Sequence, residues 1–254
     1  PEYLRKTPMK TMKMGPPKHK TNTPPPTLAA NLNHIQDRIK KASLQAGRNS
    51  ENITLVAITK RFPIEIWQQA YNNNLNIIGE SQVQEAQTKH EQFINRESIK
   101  LHLIGHLQSN KVRTAVGLFD VIQTVDSFAL AEKINYISRE MDKTQQIYIQ
   151  VNTGRDPNKH GTVPNQALSL ARDISTLDKI SLQGIMTIPP YGLKKASIRQ
   201  IYRKTRKIRD QIQLKINNNC KYLSMGMSND YEIAIIEGAT HIRIGTGLFG
   251  ARPQ

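Results

Sequence analysis

The chain has 254 residues and carries 36 Lys and Arg against 20 Asp and Glu, a formal net charge of +16. Hydrophobic residues make up 37%, lean but enough for a core at this length, and the single cysteine, Cys220, excludes an intrachain disulfide framework. No apolar run approaches the roughly 20 residues that span a bilayer, and no secretory apolar segment is present, so a soluble protein of a reducing, cytoplasmic compartment is expected.

Residues 1–27 are rich in Pro, Lys, Thr and Met and include "GPPKHK" and "TPPPT". Such a segment buries too little apolar surface to offset its ordering entropy, so a disordered basic tail is expected ahead of a domain over 28–254. No acidic residue falls between Tyr3 and Gln36, a weak likeness to organelle transit peptides. The segment is Lys-rich rather than Arg-rich, however, and its prolines break any amphipathic helix.

From Leu28 the pattern changes. Leu28, Leu32, Ile35 and Ile39 recur three or four apart and Gly47 ends the run, which predicts an amphipathic helix. Strands are then predicted at 53–58 "ITLVAI", 75–79 "LNIIG", 101–104 "LHLI", 121–125 "VIQTV", 147–151 "IYIQV", 182–188 "LQGIMTI", 222–225 "YLSM" and 241–244 "HIRI". Helical stretches fill every gap, at 64–73, 81–96, 109–118, 127–140, 164–176, 195–216 and 229–237. Strict alternation implies a parallel sheet, and eight strands in about 200 residues fit a single closed α/β barrel of the (β/α)8 or TIM type. A doubly wound open sheet is the alternative.

In such a barrel, chemistry collects where strands end. Lys60 follows the first strand, "GES" (79–81) the second, "GHLQSNK" (105–111) the third and Asn152 the fifth. "MTIPP" (186–190) ends the sixth, "SMGMSND" (224–230) follows the seventh and "RIGTGLFGAR" (243–252) contains the last. Loops after strands seven and eight usually build a barrel's phosphate site. There Ser224, Gly226, Ser228, Gly245, Thr246 and Gly247 offer hydroxyls, and glycines that let backbone amides approach an anion. "GTGLFG" matches the dinucleotide fingerprint, but it opens no βαβ unit and no acidic residue follows about 20 positions on. Its glycines read instead as part of a phosphate cradle.

The first and last strands adjoin in a closed barrel, so Lys60 faces this cup and Arg243. That trio suits a Schiff base between the Lys60 amine and pyridoxal 5′-phosphate (PLP). Imine formation needs a neutral amine, which apolar surroundings and the Arg243 charge favour. Arg243 is the candidate partner of the pyridine nitrogen. An arginine stays charged there and leaves that nitrogen unprotonated, which weakens the cofactor as an electron sink and points away from vigorous amino-acid chemistry.

From about Leu28 to Arg252 the chain resembles the pyridoxal phosphate homeostasis protein family. "LVAITKRFP", "HLIGHLQSNK", "VNTGRDPNKHG", "GIMTIPP", "LSMGMSNDYEIAI" and "GATHIRIGTGLFGAR" carry the likeness, in family order. The resemblance implies an alanine racemase N-terminal-like barrel standing alone, with Lys60 carrying the cofactor. Ser224, Gly245 and Thr246 would hold the phosphate with help from Ser228, and Arg243 would meet the ring nitrogen. It also implies a role in holding PLP and balancing vitamin B6, without an established catalytic reaction, with PLP-requiring apoenzymes as candidate recipients. One departure stands out: Ser81 replaces the asparagine of the family's "GEN", which puts that cofactor contact in doubt.

The rival reading is a PLP-dependent racemase-like enzyme. That architecture takes a tyrosine base from a second domain, for which the sequence leaves no room after strand eight. Nucleic-acid binding is suggested by the charge and by "LKKASIRQIYRKTRKIRD" (193–210), but aromatics are only 6% and no recognition motif occurs, so a solvated helix face is expected. His102 and His106 straddle a strand end rather than sharing a helix face, and no metal is expected. Cys220 reads as a buried apolar residue, Trp67 as core, and Glu80, Asn110, Asp230 and Glu232 as structural hydrogen-bonders. A monomer is expected.

Overall fold

The computed structural model describes residues 27–253. The tail expected over 1–27 thus lies outside the described residues, apart from Thr27. The Thr27 hydroxyl accepts a hydrogen bond from the Ala30 amide (3.2 Å) and so caps helix α1 (Leu28–Gln45). Leu32, Ile35, Ile39 and Ala42 form the buried stripe of this helix.

Strands and helices then alternate: β1 (Thr54–Ile58), α2 (Glu65–Asn72), β2 (Ile77–Glu80), α3 (Val83–Gln92), β3 (Lys100–Leu103), α4 (Val112–Leu118), β4 (Val121–Val125) and α5 (Phe128–Glu140). The second half continues with β5 (Gln145–Gln150), α6 (Ala167–Ile174), β6 (Ile180–Met186), α7 (Lys195–Lys215), β7 (Tyr222–Ser224), α8 (Tyr231–Ile236), β8 (His241–Ile244) and α9 (Thr246–Phe249). The strands pair in chain order and β8 closes on β1 in parallel, with Val56 opposite Arg243 and Ala57 opposite Ile244. The barrel is closed, which removes the open-sheet alternative. Among the described residues no helix is long and apolar enough to cross a membrane.

Some elements depart from expectation. The run at 75–79 is not all strand: the Leu75 amide donates to the Ala70 carbonyl (2.9 Å), closing the turn after α2, and β2 begins at Ile77. The short α9 lies in the glycine-rich stretch after β8, where composition hides a helical turn. The basic run on α7 is not purely a solvated face either. Tyr202, Thr205, Ile208 and Ile212 are buried, and Arg199 and Arg203 converge on the buried carboxylate of Glu237.

The main apolar core fills the layer between strands and helices. The lumen of the barrel is different. His102 on β3 stacks on His241 on β8 with ring centroids 6.2 Å apart, and the Tyr148 hydroxyl on β5 reaches His241 Nε2 at 3.3 Å. These strands are not neighbours in the sheet, so both contacts cross the interior. A small apolar cluster of Val121, Tyr148 and Met186, with Ile188 packed against it, shares this space.

Candidate functional site at the C-terminal mouth

Lys60 lies two residues beyond β1, in a turn closed by the Phe62 amide on the Thr59 carbonyl (3.1 Å), with Arg61 at φ 62°. That turn is held from behind by buried charge. Lys89 on α3 donates from Nζ to the Thr59 carbonyl (2.9 Å), to Glu80 Oε1 (2.8 Å) and to Glu85 Oε1 (2.7 Å). Glu80 Oε1 also accepts from the Thr59 hydroxyl (2.6 Å) and the Trp67 indole (3.2 Å), and Glu85 accepts from the Arg61 amide (2.6 Å). The backbone on both sides of Lys60 is therefore anchored, and its side chain lines the cleft at the mouth. Burial lowers the Lys60 pKa below the ordinary lysine value, and the charges of Arg252, Arg61 and Arg243 lower it further against an opposing effect of Glu80.

Lys60 lines a cleft of about 630 Å³ together with Ser228, Arg243, Gly245, Thr246 and Arg252. Gly245 follows β8 directly, and a Cβ there would stand 3.2 Å from the Ile58 carbonyl oxygen, so the last and first strands meet at van der Waals contact beside the lysine. The Gly247 amide donates to Ser228 Oγ at 3.3 Å, which places the serine against the start of α9. These groups bring hydroxyls and amides to the same cleft as the lysine, the donor set that a phosphate ester needs.

Arg243 is buried at the floor of the cleft. Its guanidinium donates to Ser224 Oγ (2.8 Å) and to the Thr187 carbonyl (2.9 Å). The Ser224 hydroxyl in turn donates to Gln123 Oε1 (2.5 Å), and Gln123 Nε2 meets His102 Nδ1 (2.7 Å). This chain of bonds crosses the lumen from β8 through β7 and β4 to β3.

Of the residues expected at a phosphate, Ser228, Gly245 and Thr246 come together with Lys60 and Arg243 at the cleft. Ser224 does not join them. It points into the lumen, is fully buried, and its hydroxyl is engaged below Arg243. The reason is local. Ser224 ends β7 facing inward, and Gly226 (φ +96°) then redirects the chain so that Ser228 rises to the mouth. A Cβ at Gly226 would lie 2.6 Å from that of Ala234, so the turn requires glycine.

Ser81 is not among the residues lining the cleft. Glu232 pairs with Arg38 on α1, away from the mouth, whereas Asp230 lines the cleft and accepts from the Met227 amide (2.7 Å). Cys220 is buried, and burial pushes its thiol up to about 12, as suits an inert core residue. Sequence reasoning missed Arg252 and Lys159, which add positive charge to the cleft, and Lys89, whose identity as a buried lysine no hydrophobic pattern could signal.

The family described as "Alanine racemase, N-terminal domain" matches residues 28–253. The pyridoxal phosphate homeostasis protein of Aquifex aeolicus is 38% identical over 221 residues, covering 87% of this chain and 96% of that protein. The solved structure of PipY from Synechococcus elongatus with PLP bound superimposes with a TM-score of 0.75 at 35% identity, over 85% of this chain and all of that one. An alanine racemase of Clostridium difficile shares the fold (TM-score 0.67, 18% identity), matching 90% of this chain and 57% of its own. The chain thus belongs to the alanine racemase N-terminal domain family and, within it, to the pyridoxal phosphate homeostasis proteins.

Proposed function

We propose that this chain binds pyridoxal 5′-phosphate at the cleft and serves in its homeostasis, holding the cofactor through Lys60. The observation that carries the reading is the convergence of Lys60, the Ser228–Gly245–Thr246 surface and Arg243 on one cleft. The residues fit the group: hydroxyls and amides for a phosphate, a lysine whose charge is disfavoured by burial, and a fixed guanidinium. When bound, PLP supplies an aldehyde that an amine can capture reversibly.

Lys60 offers the amine, and its lowered pKa raises the neutral fraction near physiological pH. Ser228, Thr246 and the backbone at Gly245 would hold the phosphate. Arg243 would offer a permanent positive charge to the ring, and Ser224 and Gln123 hold that guanidinium in place from below. Ser224 is accordingly a positioning residue rather than a phosphate ligand. The names of the relatives support the homeostatic role, and PLP-requiring apoenzymes are its natural recipients. A cytoplasmic location and a monomeric state belong to the same reading.

The test is a titration of the purified full chain with PLP, followed by absorbance above 400 nm, where lysine-bound PLP absorbs and most proteins do not. The wild type is expected to develop the band and Lys60→Ala to lack it. A wild-type protein that stays colourless contradicts the reading.

A further inference from the structure

We propose a transition-metal site on the rim of the barrel, built by His106, Asp126 and His160. The three residues come from three successive strand ends: His106 follows β3, Asp126 follows β4, and His160 lies in the loop after β5. One ligand atom from each lies within 4.8 Å of the others. The two imidazoles are stacked, with ring centroids 3.8 Å apart and planes 10° from parallel. Each side chain offers one ligand atom, a ring nitrogen from either histidine and a carboxylate oxygen from Asp126.

The backbone that carries them is fixed in advance. The Thr124 hydroxyl donates to the Gly105 carbonyl (2.7 Å), tying the end of β4 to the residue before His106. Gln150 Nε2 donates to the His160 carbonyl (3.1 Å). Asn152 spans the same loop, donating to the Asp156 and Lys159 carbonyls at 2.7 and 3.1 Å. Both histidines are exposed, which leaves their rings room to splay from the stack and aim at one ion. Two imidazole nitrogens with one carboxylate oxygen suit a borderline cation such as Zn²⁺ or Co²⁺, with a position left for water, and do not suit Mg²⁺ or Ca²⁺. A bound ion would tie β3, β4 and β5 together at the mouth, next to Lys159 of the cleft.

The experiment is a titration of the full chain with Zn²⁺ against a chromophoric chelator, with Co²⁺ absorbance reporting the ligand geometry. The wild type is expected to take one ion per chain. Affinity should fall at least about tenfold in Asp126→Asn and further in the double variant His106→Asn/His160→Asn. Lys60→Ala should bind the metal as the wild type does, which separates this site from PLP binding. No binding by the wild type, or wild-type affinity retained by the double variant, overturns the proposal.

Discussion

At the scale of single residues, Ser224 and Ser228 show how a two-residue period can be followed only as far as the strand runs. Lys60 and Arg243 were legible because each lies on or just past a strand whose inward face is set by alternation. The two serines flank Gly226, whose φ of +96° breaks that alternation, so the sequence alone could not say which of them reaches the mouth. The difference is measurable. Ser224→Ala leaves Arg243 and Gln123 each short of a buried partner and is expected to cost about 1–3 kcal/mol of stability. Ser228→Ala, at the partly exposed rim, should leave stability unchanged while weakening PLP binding about tenfold, the value of one hydrogen bond to a charged group. Denaturant melts and PLP titrations of the two variants separate the roles, and an equal loss of stability in both would contradict them.

At the scale of elements, the turn that bears Lys60 depends on α3. Lys89 reads in the sequence as one more polar residue on a surface helix, yet its ammonium is buried between Glu80, Glu85 and the Thr59 carbonyl. A buried ion cluster has no hydrophobic period, so only the folded arrangement reveals it. Burial raises the Glu80 pKa, and Lys89 is the charge that opposes this. Lys89→Met is therefore expected to destabilise the chain by about 3–5 kcal/mol, the cost of stranding a buried charge. Adding Glu80→Gln should recover part of that loss, because the stranded charge is then removed. Thermal melts of the single and double variants check this; a single variant as stable as wild type would show that the cluster does not hold the turn. The mistaken extent of the second strand has a similar local origin, since Leu75 is apolar because it closes α2, not because it lies in the sheet.

At the scale of the whole molecule, the closed barrel was legible because eight short apolar runs alternate with helical stretches, a pattern with few other solutions. The polar lumen was not legible, because inward-facing His102, Gln123, Tyr148 and His241 find their partners across the barrel rather than along the chain. That lumen sets a pH dependence. Burial lowers the His102 pKa to about 3 and that of His241 to about 4, so both are neutral in the folded chain at pH 7. In the unfolded chain both take protons near pH 6.5, before the folded chain does. Stability should therefore be level above that pH and fall below it, by up to about 1.4 kcal/mol per pH unit for each histidine, levelling only below their folded values. Urea melts between pH 7.5 and 5 test this, and a flat profile would contradict the neutral, buried pair. The central claim, that one lysine at the end of the first strand captures PLP, is tested most directly by borohydride reduction of the PLP-loaded protein and peptide mass mapping. The account predicts a single pyridoxyl adduct on the peptide containing Lys60; an adduct spread over surface lysines, or seated on another lysine, would contradict it.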